Sequence, residues 1–266
     1  MTTRYLELSG WIGLLVAFSP VIAQLATVIV TLPEHRHAAL GWLLFVLALR
    51  HGNSARAAPR PYGLGLIALG ALLEVLGIAG GSWAVARLGL PLAVCGLALR
   101  FGRPPLTTAA LSLWALPLPG TVASLLKPLS IHRHLADLAT GLLTPLGAPL
   151  TVVGRAIHTP DGILDVTSRP GWVLVYILAG LGWYSAARSG LSLPGALARA
   201  ALWAVWAIPL QALAILGAAG VLWLGEAKLA RAWLGHGAGL VTAAVGLAIA
   251  ERRHRSEATR IPGSTP

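Results

Sequence analysis

Apolar runs of membrane-spanning length recur along the chain, divided by short polar stretches rich in Gly, Pro and Arg. A helical run near 20 residues crosses roughly 30 Å of hydrocarbon. By that criterion eight spans are predicted, at about 8–32, 37–50, 62–80, 83–101, 106–123, 170–187, 195–223 and 230–250. The second, "HAALGWLLFVLAL", is short and needs local bilayer thinning or support from neighbouring helices. The fifth holds Pro117 and Pro119 and reads either as a kinked span or as a re-entrant segment, whose freed carbonyl must find protein or water. The pattern therefore predicts an all-α fold, a polytopic integral membrane helical bundle of about eight transmembrane helices over residues 1–250. A polar, proline-containing tail, 251–266, follows and is expected to be disordered on the cytoplasmic side.

Residues 124–169 break the rhythm of short connections. Leu129, Leu135, Leu138, Leu142 and Leu143 recur there at helical spacing, and Lys127, His132, Arg133, His134 and Asp137 fall among them. This predicts an extracytoplasmic amphipathic helical segment lying along the interface, its apolar side in lipid or on the bundle. A connection of this length usually has a purpose.

Composition agrees with a bilayer as solvent. Of 266 residues 56% are apolar and only 11% charged, against about 25% charged in ordinary soluble domains. The net charge of +11 raises nucleic acid as a partner, but the basic residues sit in clusters between apolar runs rather than along one face. Positive-inside topology and anionic lipid headgroups account for that spacing, so the lipid bilayer is the expected partner and nucleic acid is not. With the N-terminus inside, twelve arginines fall on cytoplasmic segments, among them Arg50, Arg60, Arg100, Arg188 and Arg199, and only Arg36, Arg87, Lys228 and Arg231 on short outer loops. Both termini are then cytoplasmic, and residue 167 is extracytoplasmic at the cell (plasma) membrane. The single cysteine, Cys95, lies in an apolar run and excludes an internal disulfide or a CxxC motif.

A few polar residues interrupt the spans. Six of eight histidines, His35, His37, His132, His134, His158 and His236, fall outside on this topology. Their spacing does not offer three or four ligands on one face, so neither metal nor other cofactor is implied. His236 opens the last span between two glycines, and an ionisable residue at membrane depth is a functional candidate by default. Gln211 in "AIPLQALAIL" is explained equally by a helix–helix hydrogen bond or by a ligand. Glu74, in mid-span, fits a buried hydrogen-bonded carboxyl or an ion pathway.

The order of these pieces resembles the exosortase/archaeosortase family of membrane cysteine transpeptidases, from about residue 33 to 245. "LPEHRHAALGWLLFVLAL" is similar to its early segment. "ALSLWALPLPGTVASLLKPLSIHRHLADLATGLLTPLGAPLTVVGRAI" resembles its most recognisable stretch. "GILDVTSRPG" lies where the family carries an acidic-x-Cys-Ser-Gly motif, "AIPLQALAILGA" resembles a span bearing Asn and Arg, and His236 matches the family histidine.

The resemblance implies recognition of a C-terminal sorting signal made of a Pro-containing motif, a hydrophobic helix and a basic tail. It also implies attack by a cysteine assisted by an arginine and a histidine on the outer face. Here Thr167 stands in the nucleophile's place, between Asp165 and Ser168–Arg169, and Ile215 and Ala218 replace the Asn and Arg. A hydroxyl needs a well-placed base to attack anything. Loss of one oxyanion donor alone costs about 3 kcal/mol. Arg169 is the cation nearest in sequence to the altered nucleophile, but it stands at the other end of the constellation from the missing arginine. Ser168 and Pro170 also fit a plain helix start, as cap and first-turn residue.

Three functions follow as expectations. The first is an exosortase-like protein of surface-protein sorting, degenerate in catalysis, that binds hydrophobic C-terminal sorting-signal helices of exported proteins. The second is an active membrane peptidase or transpeptidase using Thr167 or Ser168 with His236. The third, a transporter of small solutes or lipid-linked glycans, rests on the multiple spans and Glu74. The orientation is testable directly: in right-side-out cells, His158→Cys and Glu226→Cys are expected to react with an impermeant maleimide and Arg56→Cys to be protected. The reverse pattern would invert the topology.

Overall fold

The structure, a computed structural model, describes residues 2–31, 36–51, 60–101, 105–116, 131–154, 156–160, 162–166 and 170–259. In chain order its elements are α1 (Thr2–Ala17), α2 (Ser19–Thr31), α3 (Arg36–His51), α4 (Tyr62–Ala79), α5 (Trp83–Arg100) and α6 (Leu106–Ala109), which continues as a 3₁₀ turn (Ala110–Ala115). Next come α7 (Ile131–Leu143) with a 3₁₀ turn (Thr144–Leu146), then strands β1 (Thr151–Val153), β2 (Ala156–Thr159) and β3 (Gly162–Asp165). The chain ends with α8 (Pro170–Arg188), α9 (Leu193–Val205), α10 (Ala207–Trp223), α11 (Ala227–Ala232), a π-helical turn (Trp233–Gly237) and α12 (Ala238–Thr259).

Helix dominates, as expected, but the count of about eight spans is corrected. Among the described residues three helices are long and apolar enough to cross a membrane: Tyr62–Ala79, Trp83–Arg100 and the 31-residue stretch Leu193–Trp223. A fourth is reached if Tyr5–Ala17 and Ser19–Thr31, bent by 64°, form one broken span. His37–Arg50, Leu106–Ala115 and Val173–Arg188 are apolar but shorter. At 1.5 Å per residue, a helix of about 14 residues reaches roughly 21 Å, well under the hydrocarbon thickness. The apolar run at 230–250 is divided among α11, the π-turn and α12. α12 itself continues past Glu251 to Thr259, into the stretch expected as a tail.

A second difference concerns 124–169. Among its described residues the α-helix is Ile131–Leu143, and an antiparallel three-stranded meander follows in the order β1-β2-β3. The strand residues, "TVV", "AIHT" and "GILD", are rich in β-branched side chains that suit a pleated, half-buried surface. Val153 pairs with Ala156, which leaves a two-residue loop, and Gly154 supplies the positive φ of 64° that such a loop requires. Thr159 pairs with Gly162 across the second turn, where the Thr159 hydroxyl donates to the Gly162 carbonyl at 3.2 Å.

The chain divides into two compact units. The first comprises Met1–Leu118, Gly180–Ala200 and Ala250–Pro266. Its organising contact is the α4–α5 hairpin. Gly63, Gly70 and Gly77 recur every seven residues on α4 and meet Ala86, Gly89, Ala93 and Gly96 of α5. A Cβ added at Gly70 would lie 2.6 Å from the Gly89 carbonyl oxygen and 2.9 Å from the Ala93 Cβ. Nothing larger than hydrogen fits there. The opposite side of α4 exposes Leu64, Leu69, Leu72, Val75 and Leu76, the composition a lipid-facing surface needs. Elsewhere in this unit the Trp183 indole donates to the Thr107 carbonyl at 2.7 Å and meets Trp114 edge-on, with centroids 6.0 Å apart. The Tyr184 hydroxyl donates to Glu251, whose other oxygen lies 3.8 Å from the Arg188 guanidinium.

The second unit comprises Pro119–Ala179 and Ala201–Ile249. It holds α7, the sheet, α10, α11 and the π-turn. α7 buries Leu135, Ala136 and Ala139 and exposes Arg133, His134 and Asp137. Leu138 and Leu142 are exposed as well, so the helix carries apolar residues both toward its unit and away from it.

The α4–α5 contact yields a paired test. Gly70→Val is expected to destabilise the protein by about 1–3 kcal/mol through overpacking. Gly65→Ala, where an added Cβ meets nothing within 4 Å, is expected to leave stability unchanged or raised. Thermal unfolding in detergent reads both.

Candidate functional site

The second unit is built on one apolar cluster. Leu135, Ala136 and Ala139 of α7, Ile157 of β2, Leu164 of β3 and Val166 just beyond it pack with Ala214, Ile215, Ala218, Ala219 and Leu222 of α10. Ala148 and Leu150, before β1, and Ala230, Leu234 and Ala238, from α11, the π-turn and the start of α12, complete it. The stripe on α10 arises from spacings of three and four that place these residues on one helical face. Side-chain alternation in β3 sends Leu164 and Val166 to the core, while Ile163 and Asp165 are exposed.

The predicted site residues fall as follows. Ile215 and Ala218, the positions compared with a family Asn and Arg, are each 0% exposed within this cluster. Gln211 lies one turn earlier on the same buried face, 3% exposed, and neither its Oε1 nor its Nε2 has a hydrogen-bond partner. A buried amide left unsatisfied costs about 1–3 kcal/mol per group. Asp165 ends β3, opposite Ala156, and is exposed. Thr167, Ser168 and Arg169 lie outside the described residues. His236 lies in the π-turn, whose backbone is described while the His236 side chain is not. His37 belongs to the first unit, where it is buried with its Nε2 3.3 Å from the Leu116 carbonyl oxygen. Glu74 is also in the first unit, buried on α4, with Oε1 unpartnered. Gln211, Ile215, Ala218 and the turn bearing His236 are thus in one unit, and His37 is not grouped with them.

One residue of this arrangement escaped the sequence reading. Trp233, three positions before His236, donates its indole N–H to the Ala214 carbonyl at 3.2 Å. Its ring covers Gly237, where an added Cβ would lie 2.9 Å from Trp233 Cε3, and Gly217 of α10 sits against the indole nitrogen at 3.4 Å by the same construction. The signal that could have found it is the string "WLGHG", an aromatic four residues before Gly237, which leaves room for its ring.

Chemically, the described part of this unit is an apolar core with one orphaned amide. No side chain in the cluster can carry charge. Among the described residues no three His, Cys, Asp or Glu side chains come together as a metal would require. Cys95 belongs to the first unit, buried in α5.

Long apolar helices and a lipid-type exposed surface define the class: a helical membrane protein. Comparison with family models then matches residues 30–169 to transmembrane exosortase (Exosortase_EpsH), and the chain belongs to that family. The match takes in α3 to β3 and ends at Arg169, before α10 and the π-turn. No curated protein and no solved structure matches the chain.

The orphaned amide yields a contrast within one helix. Gln211→Leu removes two unsatisfied polar atoms and is expected to leave the thermal midpoint unchanged or raised. Ile215→Ala, which empties a packed position, is expected to cost about 2–5 kcal/mol. A large loss from Gln211→Leu would mean that the amide has a partner in the folded protein.

Proposed function

We propose that this chain is a binding member of the exosortase family. On this reading it holds the hydrophobic C-terminal sorting signal of exported surface proteins at the outer side of the plasma membrane and does not carry out cysteine transpeptidation. The observation that carries the reading is the character of α10. Where the resemblance expects an amide and a guanidinium, Ile215 and Ala218 are wholly buried in an apolar cluster. A developing oxyanion would meet no counter-charge from that face. With threonine in place of the thiol as well, two contributions are lost, and one oxyanion donor alone accounts for about 10² to 10³ in rate. The helical scaffold and the family match support retention of the binding role.

A second reading, an active peptidase with Thr167 or Ser168 as nucleophile and His236 as base, draws support from one packing fact. Val166, which precedes Thr167, shares its cluster with Leu234 and Ala238, which flank His236 at two residues on either side. One experiment separates the two. A peptide carrying a Pro-containing motif, an apolar helix of about 20 residues and a basic tail is given a photo-reactive group and added to the full chain in nanodiscs. Saturable labelling of an intact peptide is the expected result. Cleavage of the peptide that is lost in Thr167→Ala, Ser168→Ala or His236→Ala would establish the peptidase instead, and absence of any saturable labelling would remove the binding function.

A further inference from the structure

We infer that Trp233 is the positioning residue of this site: its indole N–H clamps the π-turn that carries His236 onto α10 at the turn bearing Ile215 and Ala218. A π-turn widens the helix by one residue and is rare except at functional sites. This one contains Gly235 and Gly237, each about 1 kcal/mol less favourable in a helix than alanine. Local propensity therefore does not hold the turn. Leu234 packs it against the α10 cluster without direction, and the Trp233 indole supplies the directional tie through the bond to Ala214 at 3.2 Å.

The acceptor matters. In a helix the Ala214 carbonyl already receives the N–H of Ala218, four residues on. The indole takes the second lone pair, so it relieves no unsatisfied backbone group. A tryptophan serving only as an interfacial anchor would turn its polar edge toward headgroups or water. Here that edge is committed to the helix carrying the two altered positions. Gly237 adds to the fit, because a side chain there would press on the indole, and Gly217 lies against its nitrogen. The bond therefore sets where the turn sits along α10, and with it the placement of residue 236 relative to residues 215 and 218.

The inference rests on His236 belonging to the binding site, and the test separates the two ideas. The full chain is prepared in nanodiscs with ¹³C-labelled histidine, and His236→Gln identifies the His236 ring resonance. Trp233 is replaced by benzothienylalanine, which keeps the ring's volume and lacks only the N–H, and separately by Trp233→Phe. The expected outcome is a displaced and split His236 resonance, with the wild-type position depopulated about fivefold as the loss of one hydrogen bond predicts. The His37 resonance, from the first unit, should stay in place as evidence that the fold persists. Capture of the photo-reactive signal peptide should weaken by about the same factor. An unchanged His236 resonance in the isosteric variant, with or without a lower thermal midpoint, would reduce Trp233 to packing and overturn the inference. If the resonance moves as expected but the wild type captures no peptide, the binding function falls and the positioning role stands.

Discussion

A bilayer offers helices no hydrophobic reason to associate, because lipid tails are as apolar as leucine. What holds such a protein together is how closely its backbones can come. In the first unit that requirement is met by hydrogen in place of a side chain at Gly63, Gly70, Gly77, Gly89 and Gly96, which lets α4 and α5 touch carbonyl to Cα. In the second unit alanine does comparable work, with Ala214, Ala218 and Ala219 of α10 facing Ala136, Ala139, Ala230 and Ala238. In the first unit a polar tether, Trp183 to Thr107, is then added to contacts that small residues have already made close.

That physics explains what could be read from the sequence and what could not. An apolar run announces a helix wherever it occurs, and helices do occupy each predicted stretch that the structure describes. Run length is a weaker guide to crossing. His37–Arg50 and Val173–Arg188 satisfy composition but not reach, and Phe18 divides the first long run at a 64° bend. The sheet was missed because leucines at helical spacing earlier in the segment drew the whole of it into one helix. Strands of three and four residues give too few alternations to register, although Gly154 and Pro160–Asp161 mark both turns.

The site was partly legible. Gln211, Ile215 and Ala218 share one helical face because three- and four-residue spacing is unambiguous in a helix, and a polar residue within an apolar run stands out. His37, in the stretch that resembles the family's early segment, packs beside Leu116 in the first unit. Trp233 was passed over because an aromatic at the start of an apolar run is the commonest of interfacial residues. Its role depends on a partner nineteen positions away in α10, which no local pattern encodes. The family match, ending at Arg169, does not reach that partner.

The small meander has a consequence for where any chemistry or binding near residue 167 can occur. Among the described residues the outer edges of β1 and β3 have no further strand beside them, and an open edge cannot be immersed in hydrocarbon, where every backbone group must be satisfied within the protein. An uncovered edge on β1 or β3 therefore favours a place outside the hydrocarbon. Val166, the last described residue of that stretch, is buried in the cluster of the second unit. On the binding function proposed above, a polypeptide met beside such an edge would present its hydrated, extended part rather than its buried helix.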